Sequence, residues 1–314
     1  MMSKISPSKA ILVTGAHRSG TTWVGKMLSA NRETAYISEP LNVLHRTGVL
    51  GVPVNHWYTY ITAENEAYYL SAFQRTLSLH YNLWQEIVSL KTWHDFQRMG
   101  RDWSIFSVGR IRGARPLLKD PFAIFSAKWF MERLNCAVVV TVRHPAAFAS
   151  SLKRLNWHFN FRELLDQPLL MRDYLHPFQE EMEAMLRTPE DIVGQSALLW
   201  CILYGFVAQI QTTKPDYFFL VRHEDLSLDP INGFNDLYHH LALNFTPRTQ
   251  GAILNSSSSE NPAELSKKAV HSVHLDSRAN LANWKKRLSP QEISRIRELS
   301  GEVALKYYPD FDWE

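Results

Sequence analysis

The sequence has few of the features that mark secreted, membrane-spanning or nucleic-acid-binding proteins. Its two cysteines, Cys136 and Cys201, cannot form a disulfide framework and lie in apolar stretches, so we expect both to be buried as small hydrophobic residues. No apolar run reaches the roughly 18 residues that a membrane span requires, and the first ten residues lack the apolar core of a signal peptide. We therefore expect a cytoplasmic protein with no transmembrane segment.

The sequence also has no large excess of positive or negative charge. The 34 lysines and arginines nearly balance the 31 aspartates and glutamates, which leaves a net charge of +3. A nucleic-acid partner would need a basic face that this composition does not indicate, so we expect none. With 45% hydrophobic residues, no internal repeat and no linker, the 314-residue chain is predicted to form a single domain over residues 1–314. The sequence leaves the oligomeric state open.

Short runs of β-branched or aromatic residues recur along the chain and are separated by segments with helical periodicity. The runs cover residues 10–15, 115–120, 137–144 and 217–225. This alternation predicts an α/β fold with a central parallel sheet flanked by helices, whose chemistry lies at the carboxyl ends of the strands. A final helix is predicted to begin at Pro290, with Ser289 and Glu292 forming a capping box.

A helical insertion is predicted at about residues 40–114, beside the site. It is rich in Trp, Tyr and His, and we expect most of these rings to pack against the sheet rather than to contact substrate. Its last part is rich in arginine, which indicates either a solvated basic loop or a rim that attracts anions. These arginines are Arg101, Arg110, Arg112 and Arg115.

The first strand leads into a turn with the spacing of a phosphate-binding loop. Gly15 and Gly20 match the pattern G-x-x-x-x-G between a strand and a helix. Backbone N–H groups of such a turn converge on an anion, and the N-terminus of the helix adds partial positive charge. The lysine that a nucleotide-triphosphate loop carries after its second glycine is replaced by Thr21, so Arg18 is the fixed cation of the turn. The sequence therefore predicts an anion site without a magnesium-bound triphosphate.

The segment HRSGTTW, residues 17–23, resembles the 5′-phosphosulfate loop of sulfotransferases that use 3′-phosphoadenosine 5′-phosphosulfate (PAPS), with His17 in place of the usual proline of P-[KR]-S-G-T-T-W. The resemblance implies a P-loop-like sulfotransferase fold, PAPS as the donor, 3′-phosphoadenosine 5′-phosphate (PAP) as the product, and no metal. It assigns donor contacts to Arg18, Ser19, Gly20, Thr21, Thr22 and Trp23, the last at the position that stacks on adenine.

The third predicted strand ends in a second motif of this family. An arginine at the strand end and a serine eight residues later hold the 3′-phosphate, and these residues are Arg143 and Ser151 here. The guanidinium group of an arginine and a hydroxyl on the next helix can together bind a terminal phosphate. Alternatively, Arg143 could have a purely structural role and pair with a surface carboxylate. The resemblance also assigns Arg278 to the 3′-phosphate, and it places His223 where the family has an adenine-contacting tyrosine.

Two further residues of the family pattern concern the transfer itself. Lys119 begins a K-D-P-F segment similar to that of tyrosylprotein and many bacterial sulfotransferases, where the lysine contacts the bridging region of the transferred group, while Asp120 is expected to cap the following helix. Glu39 lies twenty-one residues after Arg18, the distance at which the tyrosylprotein and heparan-type enzymes carry their general base. A carboxylate at the start of a helix is the alternative role for Glu39. His94 in KTWH imitates the histidine base of aryl sulfotransferases and ranks below Glu39.

The resemblance implies an in-line transfer of a sulfuryl group to a hydroxyl, with Glu39 as base and with Arg18 and Lys119 stabilising the leaving group. We expect a carbohydrate or a small metabolite as acceptor. A P-loop kinase-like phosphotransferase and a non-catalytic nucleotide-binding protein are the alternatives. The former would require the missing lysine and a magnesium-binding aspartate.

Overall fold

A single sheet of five parallel strands forms the centre of the protein. The computed structural model describes residues 9–44, 46–215, 217–266, 272–309 and 313. The strands are Ile11–Gly15 (β1), Thr34–Ser38 (β2), Arg115–Lys119 (β3), Ala137–Val142 (β4) and Phe219–Arg222 (β5), and their order in the sheet is β2-β3-β1-β4-β5. Four of them lie within the predicted runs, so the predicted α/β fold with a parallel central sheet is confirmed.

The strand that the sequence interpretation missed is β2, at the edge of the sheet beyond β3. Its sequence TAYIS has no continuous apolar run like those of β1 and β4, which weakens the pattern that a buried strand would show. Because β2 ends at Ser38, Glu39 follows a strand, and no helix starts at Pro40. The alternative role of Glu39 as a helix-start carboxylate is therefore wrong.

Helices cover both faces of the sheet. The first seven are Thr21–Leu28 (α1), Glu66–Leu77 (α2), Leu83–Ser89 (α3), Trp93–Ile111 (α4), Ala127–Leu134 (α5), Pro145–Leu155 (α6) and Arg162–Leu165 (α7). They are followed by Pro168–Leu170 (α8), Gln179–Arg187 (α9), Ile192–Thr213 (α10), His223–Leu228 (α11), Pro230–His240 (α12), Pro247–Ser257 (α13) and Pro290–Ala304 (α14). Both halves of the predicted capping box of α14, Ser289 and Glu292, are present.

Helix α10 is the central helix of the core and fixes the loop after β1. It is long and apolar enough to cross a membrane, with a mean hydropathy of 1.5 over 18 residues, but 83% of that window is buried inside the protein. It packs against α6 and α14. The hydroxyl of its Tyr204 accepts a hydrogen bond from the Ala16 N–H (3.1 Å) and donates one to the Thr141 carbonyl (2.8 Å), which ties the ends of β1 and β4 together.

The predicted helical insertion corresponds to α2, α3 and α4, between β2 and β3. Tyr58 and Phe73 in this region are fully buried, as the packing interpretation expects, whereas Trp84 and Trp93 are 80% and 69% exposed. The packing interpretation is wrong for these two rings, because they lie on the outer faces of α3 and α4. Of the two free cysteines, Cys136 is buried and Cys201 is only partly so.

Candidate active site

The turn after β1 lies directly against the end of β4. Gly15 has a φ of 146°, and a Cβ on it would be 2.3 Å from the Thr141 carbonyl oxygen, so a larger residue does not fit there. The Ser19 hydroxyl donates to the Ala16 carbonyl (2.6 Å) and contacts the Thr141 hydroxyl (2.7 Å). Ser19 is fully buried, and its side chain stabilises the turn.

Helix α1 begins immediately after this turn and leaves its first N–H groups for a ligand. Its N-cap is Gly20, with a φ of 97°, which has no side chain to accept these hydrogen bonds. The N–H groups of the first turn, at Thr21, Thr22 and Trp23, lie at the positive end of the helix dipole. This arrangement is suited to an anionic oxygen.

One polar cavity unites this turn with the second motif; its lining includes Arg18, Gly20, Thr21, Thr22, Trp23, Arg143 and Ser151. We call it the polar cavity. Gly15 pairs with Thr141 in the parallel β1–β4 register, so the two motifs follow adjacent strands at the same edge of the sheet. The Arg18 Nε donates to the Ser151 hydroxyl (3.3 Å), and the Arg143 Nη1 donates to the Arg18 carbonyl (3.2 Å). The two predicted anion sites are thus in direct contact.

The polar cavity is strongly cationic. Burial, reinforced by Arg143 and Arg154, lowers the pKa of Arg18 to about 10. Burial also lowers the pKa of Arg143, whose Nε has no hydrogen-bond partner in the part of the chain that is described. Arginine stays protonated at neutral pH in spite of these shifts, so the guanidinium groups repel one another. An anion bound between them would relieve this repulsion and supply the missing acceptor.

An aromatic wall closes one end of the polar cavity. Trp23 is 8% exposed and donates its indole N–H to the Ser256 hydroxyl (2.9 Å). Its ring meets the His223 ring edge to face, with 5.8 Å between centroids. The Nδ1 of His223 is buried, and no partner for it lies within the described ranges. A flat base with polar edges matches this pair of rings.

Glu39 and Lys119 come together at the ends of β2 and β3. Ser38 pairs with Lys119 in the register of these strands, the Glu39 N–H donates to the Lys119 carbonyl (2.7 Å), and the two side chains form an ion pair. Asn42 Nδ2 donates to the second carboxylate oxygen of Glu39 (2.8 Å). Lys119 is only 3% exposed. The structure therefore brings together the two residues that the sequence assigned to the base and to the leaving group.

Asp120 has the capping role that the sequence predicted. Its carboxylate accepts hydrogen bonds from the N–H groups of Leu41 (2.6 Å) and Phe122 (3.0 Å), and it caps the short 3₁₀ helix Pro121–Ala123. It thereby fixes the loop that follows Glu39.

Two further cavities meet at Glu39. The first has a volume of about 590 Å³ and is lined by Trp57, Tyr58, Phe122, Trp157 and Phe159; we call it the aromatic cavity. The second has a volume of about 740 Å³ and is lined by Lys26, Arg46, Arg98, Arg101 and Lys119; we call it the basic cavity. Thr22 and Glu39 line both, and Thr22 also lines the polar cavity. Glu39 thus lies where a group held in the polar cavity can meet a second molecule.

His17 is a site residue that the sequence analysis treated only as a departure from the family pattern. It lines the aromatic cavity, and burial lowers its pKa to about 4, so it is neutral at neutral pH. The Tyr58 hydroxyl accepts from the His17 backbone N–H (3.2 Å) and lies 2.5 Å from its Nδ1. Burial raises the pKa of Tyr58, so its hydroxyl keeps its hydrogen. In the tautomer whose Nδ1 accepts from the Tyr58 hydroxyl, the His17 proton lies on Nε2 and can be donated to an oxygen in the aromatic cavity.

Two predicted or alternative site residues lie elsewhere. Arg278 is exposed and donates to the Leu228 carbonyl (2.7 Å), and it does not line the polar cavity. Arg287, which the sequence analysis did not select, lines that cavity instead. His94 is exposed in the first turn of α4 and lines none of the three cavities. Within the described ranges, no group of three or more His, Cys, Asp or Glu residues is arranged to hold a metal ion.

Comparison with known proteins identifies the family. The model of the sulfotransferase family matches residues 10–247. A search of curated proteins found no match. Similar solved structures include the sulfotransferase domain of the curacin biosynthetic pathway, with 16% identity, a TM-score of 0.47, and coverage of 96% of this chain and 99% of that one. They also include the sulfotransferase domain of the Synechococcus PCC 7002 olefin synthase, with 15% identity, a TM-score of 0.45, and coverage of 99% and 98%.

A mouse sulfotransferase complexed with PAP has 12% identity and a TM-score of 0.39, and the match covers 98% of this chain and 87% of that one. At these TM-scores the structural matches add no argument of their own. The family model, by contrast, spans most of the chain and includes β1 to β5 together with both phosphate motifs. The chain therefore belongs to the sulfotransferase family.

Proposed function

We propose that this sulfotransferase moves a sulfuryl group from PAPS to a hydroxyl of its acceptor, with Glu39 as general base. One observation carries the proposal: the free N-terminus of α1, Arg18, and the Arg143–Ser151 pair line the same cavity. The phosphosulfate would lie at α1 and Arg18, and the 3′-phosphate at Arg143 and Ser151. Adenine would contact the aromatic wall.

The reaction is a single in-line displacement. The acceptor oxygen forms a bond to sulfur while the bond between sulfur and the bridging oxygen breaks, and the acceptor proton passes to the Glu39 carboxylate. Negative charge develops on the 5′-phosphate of the departing PAP, where Arg18 and Lys119 stabilise it. Because Lys119 contacts Glu39 across the β2–β3 edge, the base and the leaving-group cation are held in one fixed arrangement.

The acceptor would occupy the aromatic cavity and present its hydroxyl to Glu39. The rings of Trp57, Phe122 and Trp157 offer flat apolar surfaces, and the Nε2–H of neutral His17 offers a donor beside Arg18. Such a mixture suits a carbohydrate or a small hydroxylated metabolite of the cytoplasm.

Donor binding tests the proposal most directly. PAP and magnesium-bound ATP are titrated separately, and sulfur-labelled PAPS is then incubated with a panel of hydroxyl acceptors. We expect PAP to bind at least roughly tenfold more tightly than magnesium-bound ATP, because the site has Thr21 at the position where a triphosphate loop has lysine. Preferential binding of ATP with phosphoryl transfer would favour the kinase alternative. Tight PAP binding with no labelled product from any acceptor would favour a non-catalytic binding protein.

A further inference from the structure

We infer that the acceptor carries an anionic group, a carboxylate, sulfate or phosphate, in addition to the hydroxyl that is modified, and that the basic cavity holds this group. The inference rests on the proposed function, because it assigns the second cavity at Glu39 to the same acceptor. It concerns the chemical class of the acceptor, which neither the family nor the donor site determines.

The charges that line the basic cavity do not balance. Its lining includes five cations and two carboxylates: Lys26, Arg46, Arg98, Arg101 and Lys119 against Glu39 and Asp102. Glu39 pairs with Lys119, and Asp102 pairs with both Arg46 and Arg101. Arg98 pairs with Asp95, which does not line the cavity. Lys26 has no carboxylate within ion-pair distance in the described part of the chain.

Neighbouring cations disfavour the charged form of Lys26. Burial lowers its pKa, and Lys119 and Arg101 lower it further. A lysine in the last turn of a helix complements the helix dipole, which accounts for Lys26 alone. It does not account for the convergence of Arg98 and Arg101, which come from α4, on the same cavity. Side chains from separate elements that share one sign of charge form a site for the opposite charge.

The position of the cavity connects it with the transfer. Thr22, Glu39, Asn42 and Leu44 line both the basic and the aromatic cavity, so one acceptor can extend from one into the other with its hydroxyl at Glu39. The structure also separates the arginines of the insertion. Arg101 lines the basic cavity, whereas Arg110 on α4 and Arg112 at its C-terminal end are exposed and line none of the three cavities.

Arg115 has a third environment. It is only 8% exposed at the start of β3, and it donates to the carbonyl groups of Lys9 and Leu241. The anion-attracting rim that the sequence left open is therefore reduced to Arg101 together with its neighbour Arg98.

Matched acceptor pairs test the inference: 4-hydroxybenzoate against its methyl ester, and methyl glucuronide against methyl glucoside. In each pair that the enzyme accepts, we expect kcat/KM to be at least about tenfold higher for the acid than for its neutral partner. This ratio should fall as KCl is added, because salt screens the attraction between the anion and the cations. Lys26→Ala and Arg101→Ala should each lower the value for the acid by roughly five- to tenfold and leave that for the neutral partner unchanged. Arg110→Ala, on the same helix as Arg101, should change neither.

Charge reversal and a binding measurement complete the test. Lys26→Glu should lower the use of 4-hydroxybenzoate and raise that of 4-hydroxybenzylamine. Calorimetric titration of the PAP-saturated enzyme with the acid and its ester reports the anion site without turnover. Equal use or equal binding of acid and ester, or equal losses for both in Lys26→Ala, would overturn the inference. Tighter binding of the acid, together with no labelled product from any acceptor of the panel, would support the anion site and reject the proposed function.

Discussion

The polar cavity and the two cavities at Glu39 are built in different ways. The anion-binding part of the polar cavity comes from two short segments, 18–23 and 143–151, whose positions are set by adjacent parallel strands, while side chains between residues 154 and 287 form its remaining walls. The aromatic and basic cavities collect side chains from many regions: the turn after β1, α1, β2 and the segment after it, α4, β3 and the 3₁₀ turn after it, and the segment after α6. Backbone geometry therefore dominates the first region, and side-chain identity dominates the second.

This difference determines what each region can change during evolution or engineering. Backbone N–H groups at a helix N-terminus favour an anion whatever side chains surround them, so the end of the polar cavity at α1 remains an anion site when side chains change. Side chains on loops and on α4 can be replaced without altering the sheet, so the acceptor side can vary. Substitutions on the two sides should accordingly change different kinetic constants.

The largest effect should come from Glu39→Gln, at the junction of the two regions. The amide keeps the shape of the side chain but cannot take the acceptor proton, so we expect kcat to fall by roughly a hundred- to ten-thousandfold. PAP affinity should stay within about twofold, because Glu39 does not line the polar cavity. Steady-state kinetics with PAPS and calorimetric titration with PAP measure the two quantities on the same protein.

Lys119→Ala serves as the companion to this variant. It removes the partner of the Glu39 carboxylate and the cation at the leaving group together, so its kcat should fall as well. Turnover that survives unchanged in either variant would reject the assignment of base and leaving-group residues, even if PAP still bound.

The next largest effect should be a loss of PAP affinity in Arg143→Ala. A guanidinium that donates charge-assisted hydrogen bonds to a phosphate contributes about 1.5 to 3 kcal/mol, so the Kd for PAP should rise by roughly ten- to a hundredfold. Ser151→Ala should weaken binding in the same direction by less.

Adenosine 5′-phosphosulfate, which lacks the 3′-phosphate, provides the control for this prediction. Its affinity should be equal in the wild type and in Arg143→Ala if Arg143 acts on the 3′-phosphate alone. An equal loss of affinity for both nucleotides would show that the substitution disturbs the Arg18 carbonyl, which Arg143 contacts, and with it the whole turn.

The same contrast explains what the sequence could predict. The polar cavity was predictable because its residues are close in sequence to strand ends, and adjacent parallel strands bring such ends together. Thr21, Thr22, Arg143 and Ser151 lie in one cavity for this reason. Ser19 shows a limit of the motif, since its hydroxyl donates to the Ala16 carbonyl inside the turn and the residue does not line the polar cavity.

The acceptor side was predictable only in part. Glu39 and Lys119 were assigned by resemblance, but their ion pair depends on β2, an edge strand without the continuous apolar run that would reveal it in the sequence. Trp157 and Phe159 follow α6, far in sequence from the insertion that carries Trp57, and tertiary packing alone makes them neighbours. His17 had a signal, the loss of the family proline, but its tautomer depends on Tyr58, forty-one residues away.

A smaller effect should appear in the pH dependence of stability, through His17 on the acceptor side. Its pKa is about 4 in the folded protein and about 6.5 in an unfolded chain, so the unfolded state binds a proton that the folded state does not as the pH falls between these values. His17 therefore leaves the free energy of unfolding undiminished above pH 6.5 and lowers it progressively as the pH falls toward 4. Between pH 7 and pH 5, His17 should account for a loss of about 1 to 2 kcal/mol.

Urea unfolding at pH 7 and pH 5 measures this loss, and His17→Asn is the comparison. Asp120, whose pKa burial raises to about 7, contributes the opposite slope in both proteins, so the difference between them isolates His17. An unchanged pH dependence in His17→Asn would mean that the pKa of His17 is not lowered in the folded protein, and the assignment of a neutral, buried imidazole at pH 5 would then be wrong.

The smallest expected effect on PAP affinity concerns two arginines in the C-terminal part of the chain. Arg278 was assigned by its match to a family motif, yet it is exposed and bonds the Leu228 carbonyl, whereas Arg287 lines the cavity and lies 2.9 Å from Glu264. Arg287→Ala should raise the Kd for PAP by roughly three- to tenfold, and Arg278→Ala by less than about twofold. Equal losses would mean that PAP draws Arg278 into the site, so that the motif would describe the bound state better than the unliganded geometry does.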